Sequence, residues 1–323
     1  MTTKRYTRRD TLRGALAACL MMLCTLALPT SASASGGDVK IVATTPDLAA
    51  LALAIGKEHV EVTALASPTE DPHYVDPRPS HVLKLNKADL LLVNGLELEV
   101  GWLPELVVQA RNKKIQQGAP GYFDASTVVK LLQVPTIAID RAQGDIHPGG
   151  NPHYTHDPRR ARDIVIALSK RLAELDPAHE DDYASNAKEL STKLEEVATS
   201  YQEKFSKLSK TQRQVVTYHA STIYISDWLG LDEVMQVEPK PGIAPNPKHI
   251  AAVLKTMRTR EIRLIFQESF YPKKASKKLA QLASGELVVI AGGTRIDKGE
   301  TYIERVTKMA DAIFEAASKS SKK

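Results

Sequence analysis

Ile41-Val42-Ala43-Thr44-Thr45-Pro46-Asp47 and Val215-Val216-Thr217-Tyr218-His219-Ala220-Ser221 are the stretches from which the fold can be read. Each is a short β-rich run ending in a polar loop. Each continues into a helix-length apolar segment, residues 48–55 and 222–229, closed by a glycine at the same spacing, Gly56 and Gly230. A second echo follows at nearly the same offset: Pro77-Arg78-Pro79-Ser80-His81-Val82 against Pro245-Asn246-Pro247-Lys248-His249-Ile250. Each of these precedes another apolar run, 90–93 in the first half and 263–266 in the second, and a third pair is 136–139 and 287–290. Repetition of this kind marks a duplicated supersecondary unit. Strands alternating with helical stretches build βα units around a parallel sheet. The expected fold is therefore α/β, with two similar lobes, each a parallel sheet flanked by helices.

Between the halves, Asp157-Pro158 supplies an N-cap and a first-turn proline. Ala161, Ile164, Val165, Leu168, Leu172 and Leu175 then fall at helical spacing up to Asp176-Pro177. A second helix begins with Glu180, Asp181 and Asp182, suited to the positive helix N-terminus, and carries an apolar stripe from Tyr183 to Leu208. No Gly/Ser linker interrupts this region, so hinge motion should be limited. The expected organisation is a leader at 1–34, a first lobe at 35–157, a connecting helix at 158–176 and a second lobe at 177–323.

The leader has the marks of export. Lys4, Arg5, Arg8, Arg9 and Arg13 precede an apolar run at 14–28, and Ala32-Ser33-Ala34 offers small residues for cleavage. Thr7-Arg8-Arg9-Asp10-Thr11-Leu12-Arg13 resembles a twin-arginine signal, with Thr11 where a Phe is more usual, so both the twin-arginine and the general route stay open. Leu16-Ala17-Ala18-Cys19 looks like a lipid-attachment box, but it follows Arg13 too closely to leave an apolar region before it. A periplasmic location is expected, and the apolar run is shorter than the roughly twenty residues of a membrane span.

Both cysteines, Cys19 and Cys24, lie in the leader, so disulfides and thiolate ligands are excluded from the 289 residues that follow. The whole chain carries +5, but five of the Lys/Arg and one acidic residue belong to 1–34, leaving 38 basic against 37 acidic residues. A nucleic-acid partner thereby loses its main support. The remaining length suffices for two modest domains with separate cores.

Histidine is the residue type that then attracts attention. His73 stands in Asp71-Pro72-His73-Tyr74, after an expected strand at 60–65; His153 stands in Asn151-Pro152-His153-Tyr154; His219 ends the strand 214–218. Each alone reads equally well as a turn or core residue. Three at the carboxyl ends of strands from two lobes form a shared site, because ligands of open α/β sheets bind beyond those ends. Neutral imidazoles suit zinc, copper or nickel, whereas a hard ion would require mostly oxygen. Zn2+ leads, with Mn2+ behind it.

Taken together, several motifs resemble the cluster A-I periplasmic solute-binding proteins of zinc and manganese ABC importers, over residues 38–316. The carriers are Asp71-Pro72-His73 with Pro77-Arg78-Pro79-Ser80, Asn94-Gly95-Leu96-Glu97-Leu98-Glu99, and Asn151-Pro152-His153 with Asp157-Pro158. Tyr218-His219 with Tyr224 and Gly230, and Glu238-Pro239 with Pro245-Asn246-Pro247, complete them. The resemblance implies two lobes joined by a long rigid backbone helix, a metal ligated by His73, His153 and His219, and a monomer that delivers its ion to an inner-membrane permease. A histidine at the third position looks like the zinc members. Two features depart from the family pattern. The last strand ends in Ala291-Gly292-Gly293, where a carboxylate ligand is usual, so Glu268 is expected as the fourth ligand, with Asp297 or water as substitutes. The long histidine-rich loop of many zinc members is reduced to His147, with His156 nearby. A zinc-dependent hydrolase is the reading from another class, but no His-Glu-x-x-His motif occurs.

Overall fold

A computed structural model describes residues 38–136 and 147–319. Among these, the first half forms strands β1 (Val39–Ala43), β2 (Val60–Ala64), β3 (Leu90–Val93) and β4 (Tyr122–Asp124), paired in the order β2-β1-β3-β4. The second half forms β5 (Gln214–Thr217), β6 (Asp232–Gln236), β7 (Leu264–Glu268) and β8 (Glu286–Ile290), in the order β6-β5-β7-β8. All pairings are parallel and the two orders are the same, so the duplication seen in the sequence is a duplication of topology. The export segment 1–34 lies outside the described residues, as does all but the first residue of the strand expected at 136–139.

That strand pair needs correcting. The partner of β8 in the first lobe is β4, a three-residue strand, Tyr-Phe-Asp, too short and too polar to stand out by periodicity. Glycine betrays the equivalence instead. A Cβ on Gly121, just before β4, would lie 2.3 Å from the Asp89 carbonyl oxygen, and one on Gly285, just before β8, would lie 2.3 Å from that of Arg263. In both lobes the fourth strand enters by pressing bare backbone against the start of the third.

Helices α1 (Pro46–Gly56), α2 (Pro79–Lys87) and α3 (Leu103–Ala110) accompany the first sheet; α6 (Ile223–Leu229), α7 (Pro247–Thr259), α8 (Lys273–Leu282) and α9 (Tyr302–Lys319) accompany the second. The two glycines that close the leading helices differ. Gly230 caps α6 in the left-handed conformation, φ 66°, whereas Gly56 stays helical and Lys57 takes the positive φ of 44°. Gly56 is needed for space, since a Cβ there would meet Val60 at 2.3 Å.

Between the lobes, α4 (Pro158–Leu175) is capped by Asp157, whose carboxylate accepts the Arg159 N–H at 2.8 Å. It folds back onto α5 (Glu180–Ser206), and Arg162 pairs with Glu195 across the two. The longest helix is thus 180–206, paired with the one expected at 158–176. Both pack on α1, while α5 also packs on α6 and α9. Side chains alternate across the strands. Ile41, Ala43, Leu90 and Leu92 join Leu264 and Phe266 in one apolar cluster with Ile164, Leu168, Tyr183 and Leu194 of the helix pair. Val42, Leu91 and Val93 face a second cluster on the outer face of the first sheet, and Val216 and Ile265 face a third on that of the second. The lobes therefore share one core and keep private cores only on their outer faces, instead of having the separate cores that length alone suggested. Facing both sheets with apolar layers requires strands apolar on both faces, as β3 is.

Gly121→Ala and Gly285→Ala should each destabilise the protein, by about 1–3 kcal/mol, because the clash is with main chain that has little room to move. Thermal or urea denaturation measures this, and unaltered midpoints in both variants would refute the packing account.

Candidate metal centre

The first site loop leaves β2 and turns at Asp71-Pro72-His73. The Asp71 Oδ1 accepts both the backbone N–H of His73, at 3.0 Å, and its Nδ1–H, at 2.7 Å. Asn151-Pro152-His153 repeats the arrangement: Asn151 Oδ1 accepts the His153 N–H at 3.0 Å and its Nδ1–H at 2.9 Å. One Asx-Pro-His turn, used twice, sets backbone and imidazole together. The Trp102 Nε1–H donates to the Pro72 carbonyl at 3.0 Å and the Asn94 Nδ2–H to the Pro152 carbonyl at 2.8 Å, so each turn is braced at its proline. His219 follows β5. Its Nδ1–H donates to Glu238 Oε2 at 2.8 Å, and Glu238 is brought alongside because backbone pairing continues past β5 and β6 through Glu238 N–H to Tyr218 O at 3.0 Å.

The three sequence-predicted histidines meet. His73, His153 and His219 each offer a ligand atom within 4.8 Å of the others. Ring centroids lie 5.1 Å (His73–His153), 5.6 Å (His153–His219) and 6.0 Å (His73–His219) apart. Every Nδ1 is occupied by an oxygen acceptor, so in the neutral imidazole the lone pair is on Nε2, and that of His73 lies 3.3 Å from His147 Nε2. This is the orientation and tautomer of metal-ligating histidine. The site is enclosed: His153 is 8 % and His219 4 % exposed. Burial and the neighbouring histidines hold His153 well below the ordinary histidine range, keeping it neutral. Burial pushes the Asp71 carboxyl up, but the His73 contacts outweigh it and hold it below the usual carboxylate range. A cavity of about 330 Å3, lined by Gln133, His147, Asn151, His153, His219 and Pro241 among others, adjoins the centre.

Glu268, the expected fourth ligand, is placed elsewhere. It is the last residue of β7, fully buried, and its Oε1 stands 3.6 Å from His156 Nε2, while the mutually close ligand atoms are those of the trio. The tautomer of His156 is reversed. Arg305, which can only donate, reaches its Nδ1 at 2.6 Å, so the proton sits on Nε2 and faces Glu268. Burial raises the Glu268 carboxyl, and His156 and Ser221 more than offset this, leaving it below the ordinary glutamate range. Arg305 also pairs with Asp47 of α1 at 3.3 Å, and Asp47 accepts the Thr294 N–H at 2.9 Å. Glu268 and His156 thus belong to a buried polar chain linking the two lobes. Asp297 is half-exposed beside Arg295, 3.9 Å away.

Sequence reasoning gave His147 little weight, yet it reaches the centre. Its Nε2 is 3.3 Å from that of His73, and its Nδ1–H donates to the Leu96 carbonyl at 2.7 Å. That carbonyl belongs to a turn with three successive positive φ angles: Gly95 82°, Leu96 54° and Glu97 62°. Gly95 is obligatory there, since a Cβ would come 2.2 Å from Asp124. The buried Glu99 carboxylate holds the turn by accepting from Asn94 N–H (2.7 Å), Gly95 N–H (3.1 Å) and the Thr44 hydroxyl (2.6 Å), and burial pushes its pKa up to about 7. The Asx-Pro-His repeat was available in the sequence as a signal for Asp71 and Asn151 as anchors; nothing local pointed to Glu238 or to Leu96.

The remaining histidines serve structure. His81 and His249 are each the third residue of a proline-initiated helix, and His249 Nε2 bonds the Gln236 carbonyl at 2.9 Å. His59 stacks on His179 at 3.8 Å. Trp228 is core, its Nε1–H donating to Ala198 O at 3.1 Å.

Comparison with known proteins agrees with this architecture. The ZnuA family profile, described as zinc-uptake complex component A, periplasmic, matches residues 41–316. The chain is 23 % identical over 293 residues to the manganese ABC transporter substrate-binding lipoprotein PsaA of Streptococcus pneumoniae, covering 88 % of this chain and 91 % of that one. It is 26 % identical over 269 residues to the metal ABC transporter substrate-binding lipoprotein SloC of Streptococcus mutans, covering 82 % and 84 %. A zinc-bound crystal structure of a ZnuA deletion mutant superposes with a TM-score of 0.72 at 21 % identity, covering 87 % of this chain and 98 % of the other, a likeness of fold. The matched range takes in both lobes and every site loop, and the chain belongs to the ZnuA family, the metal-binding solute-binding components of ABC importers rather than enzymes.

Proposed function

We propose that the protein captures one Zn2+ ion through His73, His153 and His219 and delivers it to the permease of an inner-membrane ABC importer. The observation that carries this is the convergence of three imidazoles, with ligand atoms within 4.8 Å of one another, whose Nδ1 atoms are all bonded to oxygen acceptors, which leaves Nε2 of each to bind an ion. Nitrogen donors favour zinc over manganese, which suits oxygen-rich sites. Relatives named for manganese make Mn2+ the second reading. Export through the leader at 1–34 would place the protein in the periplasm; among the described residues no helix is long and apolar enough to cross a membrane.

Titration of the purified mature protein should give one zinc per chain. His73→Ala, His153→Ala and His219→Ala should each lose more affinity than Glu238→Ala, which removes an anchor and should cost roughly 10- to 100-fold. Wild-type binding in all three ligand variants would sink the assignment, and tighter binding of Mn2+ than Zn2+ would favour the second reading.

Loading should also stabilise the fold, because the ion binds only the folded arrangement. The sign with pH follows from His153. Its pKa is depressed in the folded protein, so as pH falls through the ordinary histidine value of about 6.5 the unfolded chain takes up its proton first and the metal-free fold loses stability. Protons compete for the same lone pairs, so the zinc-induced rise in Tm should shrink below about pH 6. Calorimetry across pH 5–8 measures both trends; a rise independent of pH would contradict imidazole ligation.

A further inference from the structure

We propose that His147 is the fourth ligand, so that the ion is held by four imidazoles, and that the turn Gly95-Leu96-Glu97 exists to aim His147 at it. This rests on the metal-capture reading above.

The argument begins with protons. A carbonyl oxygen can only accept, so the contact of His147 Nδ1 with Leu96 O at 2.7 Å puts the proton on Nδ1 and the lone pair on Nε2. The Asp71 carboxylate does the same for His73. With both rings neutral, two lone-pair nitrogens face each other at 3.3 Å, an arrangement that a proton or a metal cation between them relieves. A tetrahedral ion with metal–nitrogen bonds of about 2.0–2.1 Å holds its ligand nitrogens about 3.3 Å apart. The His73–His147 spacing is that of two ligands of one such ion. The ring centroid of His147 lies 5.4 Å from that of His73, within the range of the trio, and 6.4 Å from that of His153, just beyond it, so His147 stands at the edge of the group and an ion would draw it inward. His156, the other histidine of this region, has its proton on Nε2 and its Nδ1 taken by Arg305, so it cannot substitute.

The second strand of the argument is the cost of the support. Leu96 and Glu97 are non-glycine residues in left-handed conformation, and such strain persists where the surroundings impose it. Here a buried carboxylate, Glu99, imposes it, and one visible result is a carbonyl directed at an imidazole. The loop carrying His147 is fitted to the same turn: a Cβ on Gly149 would lie 2.7 Å from the Leu96 side chain. A solvated loop histidine needs none of this.

The test uses the full mature protein and Co2+ as a spectroscopic stand-in for Zn2+, alongside Zn2+ competition with a chromophoric chelator. His147→Ala should keep one ion per chain, weaken zinc binding by roughly 10- to 100-fold, and change the visible d–d bands of bound Co2+ as one nitrogen donor is replaced by solvent oxygen. Circular dichroism and melting of the metal-free variant should match wild type. Unchanged Co2+ bands and zinc affinity in His147→Ala, with binding lost in His73→Ala, would overturn the fourth-ligand inference alone. Binding unaffected in both would overturn the metal-capture reading itself. Gly149→Ala, which displaces the loop without touching a ligand, should weaken binding in the same direction, and wild-type affinity there would count against the aiming role of the turn.

Discussion

A metal ion bonded to nitrogens at about 2 Å tolerates errors of only a few tenths of an ångström in where its ligands stand, and here the proposed ligands come from opposite halves of a duplicated chain. Everything else in the structure answers that constraint. The inner faces of both sheets and the helix pair 158–175 and 180–206 share one apolar core, so the first and second lobes are held by close-packed side chains instead of by a linker. His73 rides on the first sheet, His219 on the second, and His153 immediately precedes the helix that both lobes grip. With separate cores, the lobes could approach and part freely and the three imidazoles would meet only transiently.

Within that frame, orientation is handled by hydrogen bonds made through Nδ1, the ring nitrogen that the proposed ion would not use. Asp71, Asn151, Glu238 and the Leu96 carbonyl each hold one Nδ1–H. The tautomer follows from the acceptor, and the lone pair follows from the tautomer. His156 shows the converse: the same side chain, deep in the same region, is turned into a structural element because its partner is an arginine. Residue type alone does not make a ligand; the group behind the ring does.

The buried chain Asp47–Arg305–His156–Glu268 connects α1, α9, the His153 loop and β7. Removing one member would leave a charge buried without its partner, which costs several kcal/mol, whereas the intact chain adds little over an apolar equivalent. Across it α9 meets α1, with Arg305 3.3 Å from Asp47. Glu268 approaches His156 at 3.6 Å in this chain and stands outside the group of mutually close ligand atoms.

The duplication, the parallel sheets and the three central histidines were legible in the sequence, because each depends on local pattern: apolar runs of strand length, proline-initiated helices, and histidines at strand exits. The Asx-Pro-His turn was equally local and equally readable. β4 was not, since three residues carry no periodicity and its place is determined by Gly121 against Asp89, a contact across 32 positions. Nor were Glu238, His147 or the true partner of Glu268. These depend on which group stands behind an imidazole once two sheets and a helix pair have packed together. The sequence by itself determined which side chains could bind a metal and, at His73 and His153, the partner of Nδ1; only the tertiary structure brought the rings together and gave His219 and His147 their partners, because Glu238 and Leu96 come from distant chain.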